Sequence, residues 1–215
     1  MAQNKKSIWE PAEEKVRRLR LLDKAPNSIY NRLVVRYPYQ TDSDYARFYF
    51  DSAERLAGTF DGNSEDDMLL LPFLMLYRHA FELELKSFIK ELIRLRKVYL
   101  GHSGLDYSAA ELAERLRKKH GHRLLPLVNE VQKHWEELEY DEPFPEEVAE
   151  LLEMLHEMDG SGMSFRYAGH LPDYQNYVDF PDLVEMLNEA KEQLDAAYSY
   201  AVGSYDAMPT LRELM

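Results

Sequence analysis

The chain has no cysteine. That absence excludes a disulfide framework, a thiolate zinc site and a cysteine nucleophile together, and it fits a reducing compartment. Long apolar runs are missing as well. The longest, Met68 to Tyr77, is broken by Pro72 and is about half the length of a membrane span. No apolar run of signal-peptide length follows Met1-Ala2-Gln3-Asn4-Lys5-Lys6, so a cytoplasmic protein with no membrane partner is expected. There is no glycine-rich phosphate loop, no zinc-protease histidine pair and no Gly-x-Ser-x-Gly elbow, which removes three common chemistries. No cofactor is expected. Positive charge is in short supply: 26 Lys and Arg stand against 39 Asp and Glu, for a net charge of −13. A field of that sign opposes non-specific binding to phosphate backbones. The local exceptions are Arg17-Arg18-Leu19-Arg20, Arg94-Leu95-Arg96-Lys97 and the stretch from Arg115 to Arg123.

What is present is helical periodicity. A chain of 215 residues suffices to bury roughly 70% of its unfolded surface without staples. A charged helix is expected over 11–22, and residues 29–40 carry the only strand-like composition. Thr41-Asp42-Ser43-Asp44 is an N-cap cluster for a helix to about Ala57, with Tyr45, Phe48, Tyr49 and Ala53 as its apolar stripe. The longest helix follows an acidic start at 63–67 and ends near Lys97, with Pro72 starting or kinking it. Ser108 and Glu111 have capping-box spacing for the next helix. Further helices are expected from His122 or Arg123 to Leu138, from Pro145 to Met158, and from Asp179 to Asp206, with a long loop over 159–177. The pattern predicts an all-α, up-and-down helical bundle over 63–208, with an N-terminal helical or extended extension over 1–62 packed on or beside it.

Arg78, Glu82, Lys86 and Lys90 fall at successive i,i+4 steps. They form either a solvated ladder or an inward-facing polar set in which a buried carboxylate needs a cationic partner. Arg166, in Phe165-Arg166-Tyr167, is the predicted partner of Glu82 or Asp159, because a guanidinium holds a carboxylate bidentately. Phe165 and Tyr167 would then pin the loop. His120, His122 and His134 lie close in sequence, but two histidines at a helix junction read as solvated caps, and no metal site is expected.

Three segments in order resemble the HEPN superfamily of prokaryotic helical domains. Glu82-Leu83-Glu84-Leu85-Lys86 is similar to that family's Glu-x-x-x-Lys helix. Gly121-His122-Arg123-Leu124 is similar to the Gly/Thr-His-Asp-Leu segment that opens its next long helix, with Arg123 in place of Asp. Phe165-Arg166-Tyr167 is similar to the Arg-Tyr that precedes its last helix. The resemblance spans roughly 65–206. It implies a helical bundle, frequent dimerisation, and roles in nucleic-acid-linked stress and phage defence. Many members are metal-independent ribonucleases with an Arg-x4–6-His pair on or near the last helix, where His moves a proton and Arg stabilises developing phosphorane charge.

Here Asp179 to Met208 contains neither Arg nor His. Arg166 and His170 are one residue too close. Arg115 with His120 and Arg117 with His122 have the spacing but precede the family's Gly-His segment. The expectation is therefore a non-catalytic binding or regulatory module. It would contact a protein partner, a second copy of itself, RNA or a nucleotide at a cleft lined by Arg78, His79, Glu82, Lys86, Arg166, Tyr167 and His170. Two alternatives are a ribonuclease with a displaced Arg115, Arg117, His120 and His122 patch, and a purely structural interaction protein. The aromatic-rich extension would either pack on the bundle or present an interface.

Overall fold

The computed structural model describes residues 39–101, 107–167, 177–206 and 208–214. The expected helix over 11–22, most of the strand-like stretch and His170 lie outside the described residues. Residues from Thr41 onward form one compact unit, an all-α, up-and-down bundle. Among the described residues there is no strand.

Helix α1, Asp42–Ala57, starts at a reciprocal cap in which Thr41 Oγ1 accepts from the Asp44 N–H and the Asp44 carboxylate accepts from the Thr41 N–H at 2.8 Å. Two otherwise orphaned donors are satisfied this way. Its inward face is Ala46, Phe50 and Ala53, flanked by the partly buried Tyr49. The expected aromatic stripe is corrected here, because Phe48 faces outward. Small side chains at positions 46 and 53 let α1 lie close along its neighbour, and that close approach outweighs the pull of the aromatic ring. A short 3₁₀ turn, Ser64–Met68, is capped by Asn63 and leads into α2, Leu70–Leu100. Pro72 sits in the first turn of α2, where its missing N–H costs nothing, so it starts the helix and does not kink it.

Helix α2 is the axis of the bundle. Helices α1, α4 (Leu124–Glu137) and α6 (Phe180–Asp206) all pack on it. Helix α5, Glu146–Met158, closes the layer between α4 and α6. Helix α3, Ala109–Lys119, begins at the expected Ser108–Glu111 box, and the four-residue helix α7, Leu211–Leu214, ends the described chain. Phe73, Tyr77, Phe81, Phe88 and Leu92 on α2 are fully buried. Phe50 meets Tyr77 and Phe81 edge-on at 5.5 and 5.0 Å, and Phe73 meets Phe180 at 4.9 Å. Each such ring contributes about 2–3 kcal/mol of burial. At the other end, Trp135 packs on Tyr140, Phe144 and Tyr200 and donates its indole N–H to the Glu142 carbonyl. On α6, Leu187, Ala190, Leu194 and Ala197 are buried and Leu183 is partly buried along one stripe.

Candidate functional site

Among the buried carboxylates, Glu82 and Glu130 each gather a set of basic side chains. The first is Glu82, at the middle of α2. Arg78 lies one turn before it and Lys86 one turn after, so all three share a face. That face is turned inward: the Glu82 side chain is 2% exposed, with Lys86 Nζ 2.6 Å from Oε1 and Arg78 Nη1 3.8 Å from Oε2. The solvated-ladder reading is therefore excluded for this stretch, while Lys90 leaves the set and pairs with Asp42 on α1.

Two turns close over this face. The first joins α3 to α4. Gly121 there has φ +60, a left-handed conformation that favours glycine, and its carbonyl accepts from Lys86 Nζ at 2.8 Å. His122 follows and places Nδ1 3.0 Å from Glu82 Oε1, while its side chain is 57% exposed. With Nδ1 donating to the carboxylate, Nε2 is left as an acceptor. Arg123 turns back and donates to the Lys119 and His120 carbonyls, capping the C-terminus of α3.

The second turn follows α5. The Asp159 carboxylate accepts from the Met163 and Ser164 N–H groups at 2.8 and 2.9 Å, which folds the chain into a compact turn. Its backbone carbonyl accepts from Arg78 Nε and Nη2 at 3.2 and 2.9 Å, and Arg78 Nη2 also donates to the His122 carbonyl at 2.6 Å. One guanidinium thus joins both turns to α2. The predicted contact of Arg166 with Glu82 or Asp159 is corrected: Arg166 is exposed and makes no ion pair with a described residue. Arg78 already fills that place from within the helix, and a second guanidinium there would meet like charge. Phe165 is buried and does pin the turn, whereas Tyr167 is exposed.

Burial alone would raise the Glu82 carboxyl. The basic groups around it, His79 and Lys86 foremost and then His122, hold it down to about 2. His79 Nδ1 stands 3.8 Å from Oε2, too far for a hydrogen bond, so Lys86 and His122 are the direct contacts. Burial lowers the Arg78 guanidinium, and the carboxylates of Asp159 and Glu82 oppose that shift.

The second buried carboxylate is Glu130 on α4. Arg115 Nη1 and Lys119 Nζ reach it from α3 at 2.5 and 2.7 Å, and His120 Nε2 contacts the same group. Arg96 on α2 donates to His134 Nδ1, which places the His134 proton on Nε2, 3.6 Å from Glu130. Burial would raise Glu130, but His134, Arg115, Lys119 and His120 together hold it far below the usual carboxylate range. His120 is 4% exposed, so the solvated-cap reading is corrected for it. The cause is Glu130, whose position four residues before His134 on an apolar helix face was the available signal.

Arg115, Arg117, His120 and His122 are thus not brought to one point. His120 and Arg115 turn to Glu130, Arg117 pairs with Glu114 on the surface, and His122 turns to Glu82. Among the described residues, no set of three His, Asp or Glu side chains converges as a metal site, and no helix is long and apolar enough to cross a membrane. No protein-family model matches the chain, and neither does any curated protein or solved structure.

Proposed function

We propose that this chain is a HEPN-like, non-catalytic binding or regulatory module. In this reading it works in a prokaryotic stress or phage-defence setting and engages a protein partner, a second copy of itself or a nucleotide at the Glu82 face. The observation that carries the proposal is the meeting of the first two HEPN-resembling segments: His122 on Glu82 and Gly121 on Lys86. The third segment begins a few residues beyond Asp159, which Arg78 ties to the same place. At this face Arg78 and Lys86 balance the Glu82 and Asp159 carboxylates, and His122 joins them from the α3–α4 turn. His122, 57% exposed, is open to a partner at this face. A pull-down from the native host, followed by binding measurements on the recovered protein or nucleotide with wild type and Lys86→Ala/His122→Ala, tests the reading. Binding that is unchanged in the double variant removes the Glu82 face as the site.

One observation favours a second reading, a metal-independent ribonuclease. A carboxylate-oriented histidine with Nε2 outward is suited to proton transfer, and His122 has that arrangement. The lack of an Arg or His from Asp179 to Met208 and the enclosure of His120 weigh against it.

A further inference from the structure

The outer surface of α5 and α6 combines a strong excess of acidic side chains with exposed methionines. Helix α5 carries five glutamates and no Lys or Arg. Helix α6 carries six acids, Asp182, Glu185, Glu189, Glu192, Asp195 and Asp206, against one lysine, Lys191, which is already held by Glu54 at 2.6 Å. These two helices hold most of the net −13. On the other helices several acids do pair with bases, among them Glu82, Glu91, Glu114 and Glu130. Glu147, Glu150 and Glu189 have no cationic partner among the described residues.

Between the helices runs a groove of about 200 Å³, lined by Leu151, Met154, Met186 and Ala190 and edged by those three glutamates. Met154 and Met186 are each 45% exposed and Met158, at the end of α5, is 53% exposed. Unbranched thioethers adapt to varied apolar side chains and suit surfaces that receive a partner.

We propose that this groove docks a basic amphipathic helix of another protein. Its apolar anchors would lie on Met154 and Met186 in the groove and on Met158, which stands one helical turn beyond Met154 on the same face of α5, and its Lys and Arg would meet the glutamates on both edges. The interhelical furrow is the shape that receives an amphipathic helix. The charge selects among occupants. A symmetric second copy would set carboxylates against carboxylates, and nucleic acid or an anionic membrane would be repelled by the same field. The site does not depend on the Glu82 face.

The test uses the full chain labelled at the methionine methyls. The probe is a Leu/Lys peptide that forms a basic amphipathic helix, with a shuffled peptide of equal composition as its control. The amphipathic peptide is expected to shift the methyl signals of Met154, Met158 and Met186, leave the exposed Met68 and Met208 unmoved, and bind more weakly as salt rises. Glu150→Lys/Glu189→Lys, at exposed positions that leave the core intact, is expected to weaken binding at least tenfold. Equal shifts from the shuffled peptide, or binding unchanged in the double variant, would overturn the proposal. Methyl shifts that follow protein concentration alone would assign the groove to a second copy and overturn it as well.

Discussion

Arg78 donates from Nε and Nη2 to the backbone carbonyl of Asp159, 81 positions along the chain. The same guanidinium reaches the His122 carbonyl, so α2, the α3–α4 turn and the turn after α5 share one side chain. Arg78→Ala would leave Glu82 with fewer cations, take the guanidinium donor from the His122 carbonyl, and leave the Asp159 carbonyl with the Gly162 N–H alone. Removing one partner of a buried charged set costs about 3–5 kcal/mol, and a urea titration is expected to show a loss of that size. Arg166→Ala removes an exposed side chain and is expected to stay within about 0.5 kcal/mol of wild type.

Gly162 has φ +78, and a Cβ there would stand 2.9 Å from Arg78 Nη1 and 3.0 Å from His122 Cβ. Backbone strain and steric conflict add at this position. Gly162→Ala is expected to destabilise by about 1–3 kcal/mol. It is also expected to speed amide hydrogen exchange at Met163 and Ser164, whose N–H groups are held by Asp159. Exchange rates equal to wild type would mean the turn has room that the structure does not show.

Helix positions were legible because caps and apolar periodicity are local. The Thr41–Asp44 and Ser108–Glu111 boxes mark starts that the structure places within a residue, while the i,i+4 spacing of Glu82 and Lys86 fits a solvated ladder and an inward set equally and only the packed fold chooses the inward one. The partners were not legible. Arg78 and Arg166 are both guanidiniums near Asp159, and only the path of the turn between Asp159 and Phe165 decides which one is enclosed. Glu130 was missed because its cations come from α3, whose approach to α4 is a tertiary fact. In α1, counting aromatics favoured Phe48 over Ala46, although close helix packing depends on the smaller residue.

In the non-catalytic reading, purified protein leaves a structured RNA uncut, and His120→Ala and His122→Ala change nothing in that assay. Overexpression of the wild type is expected to be harmless to the host cell. Cleavage by wild type that is lost in His122→Ala but kept in Lys86→Ala would favour the ribonuclease reading, with His122 moving the proton. His120→Ala is expected to act on stability alone, because it removes a buried contact to Glu130.

Glu82 and Glu84 stand two residues apart on α2 and face opposite environments. Glu82 has Lys86, Arg78 and His122 around it. Glu84 is also buried, but its one direct contact among the described residues is the Ser43 hydroxyl at 2.8 Å, with burial and the Asp195 carboxylate pushing it above its usual value. The two therefore contribute to stability with opposite signs. Glu82 is lowered from 4.5 to about 2, so the folded state binds fewer protons there. Its contribution is complete above about 4.5 and is lost as pH falls through about 2, a span worth on the order of 3 kcal/mol. Glu84 is raised, so the folded state holds its proton longer, and stability is lost as pH rises from the usual glutamate value through the raised one. At pH 7, Glu82→Gln is expected to destabilise and to flatten the acid limb of the unfolding curve. Glu84→Gln keeps an acceptor for Ser43 and removes the charge, and is expected to stabilise. Urea titrations of both variants from pH 3 to pH 8 check the pair. Destabilisation by Glu84→Gln at pH 7 would show that a cation compensates Glu84 in solution.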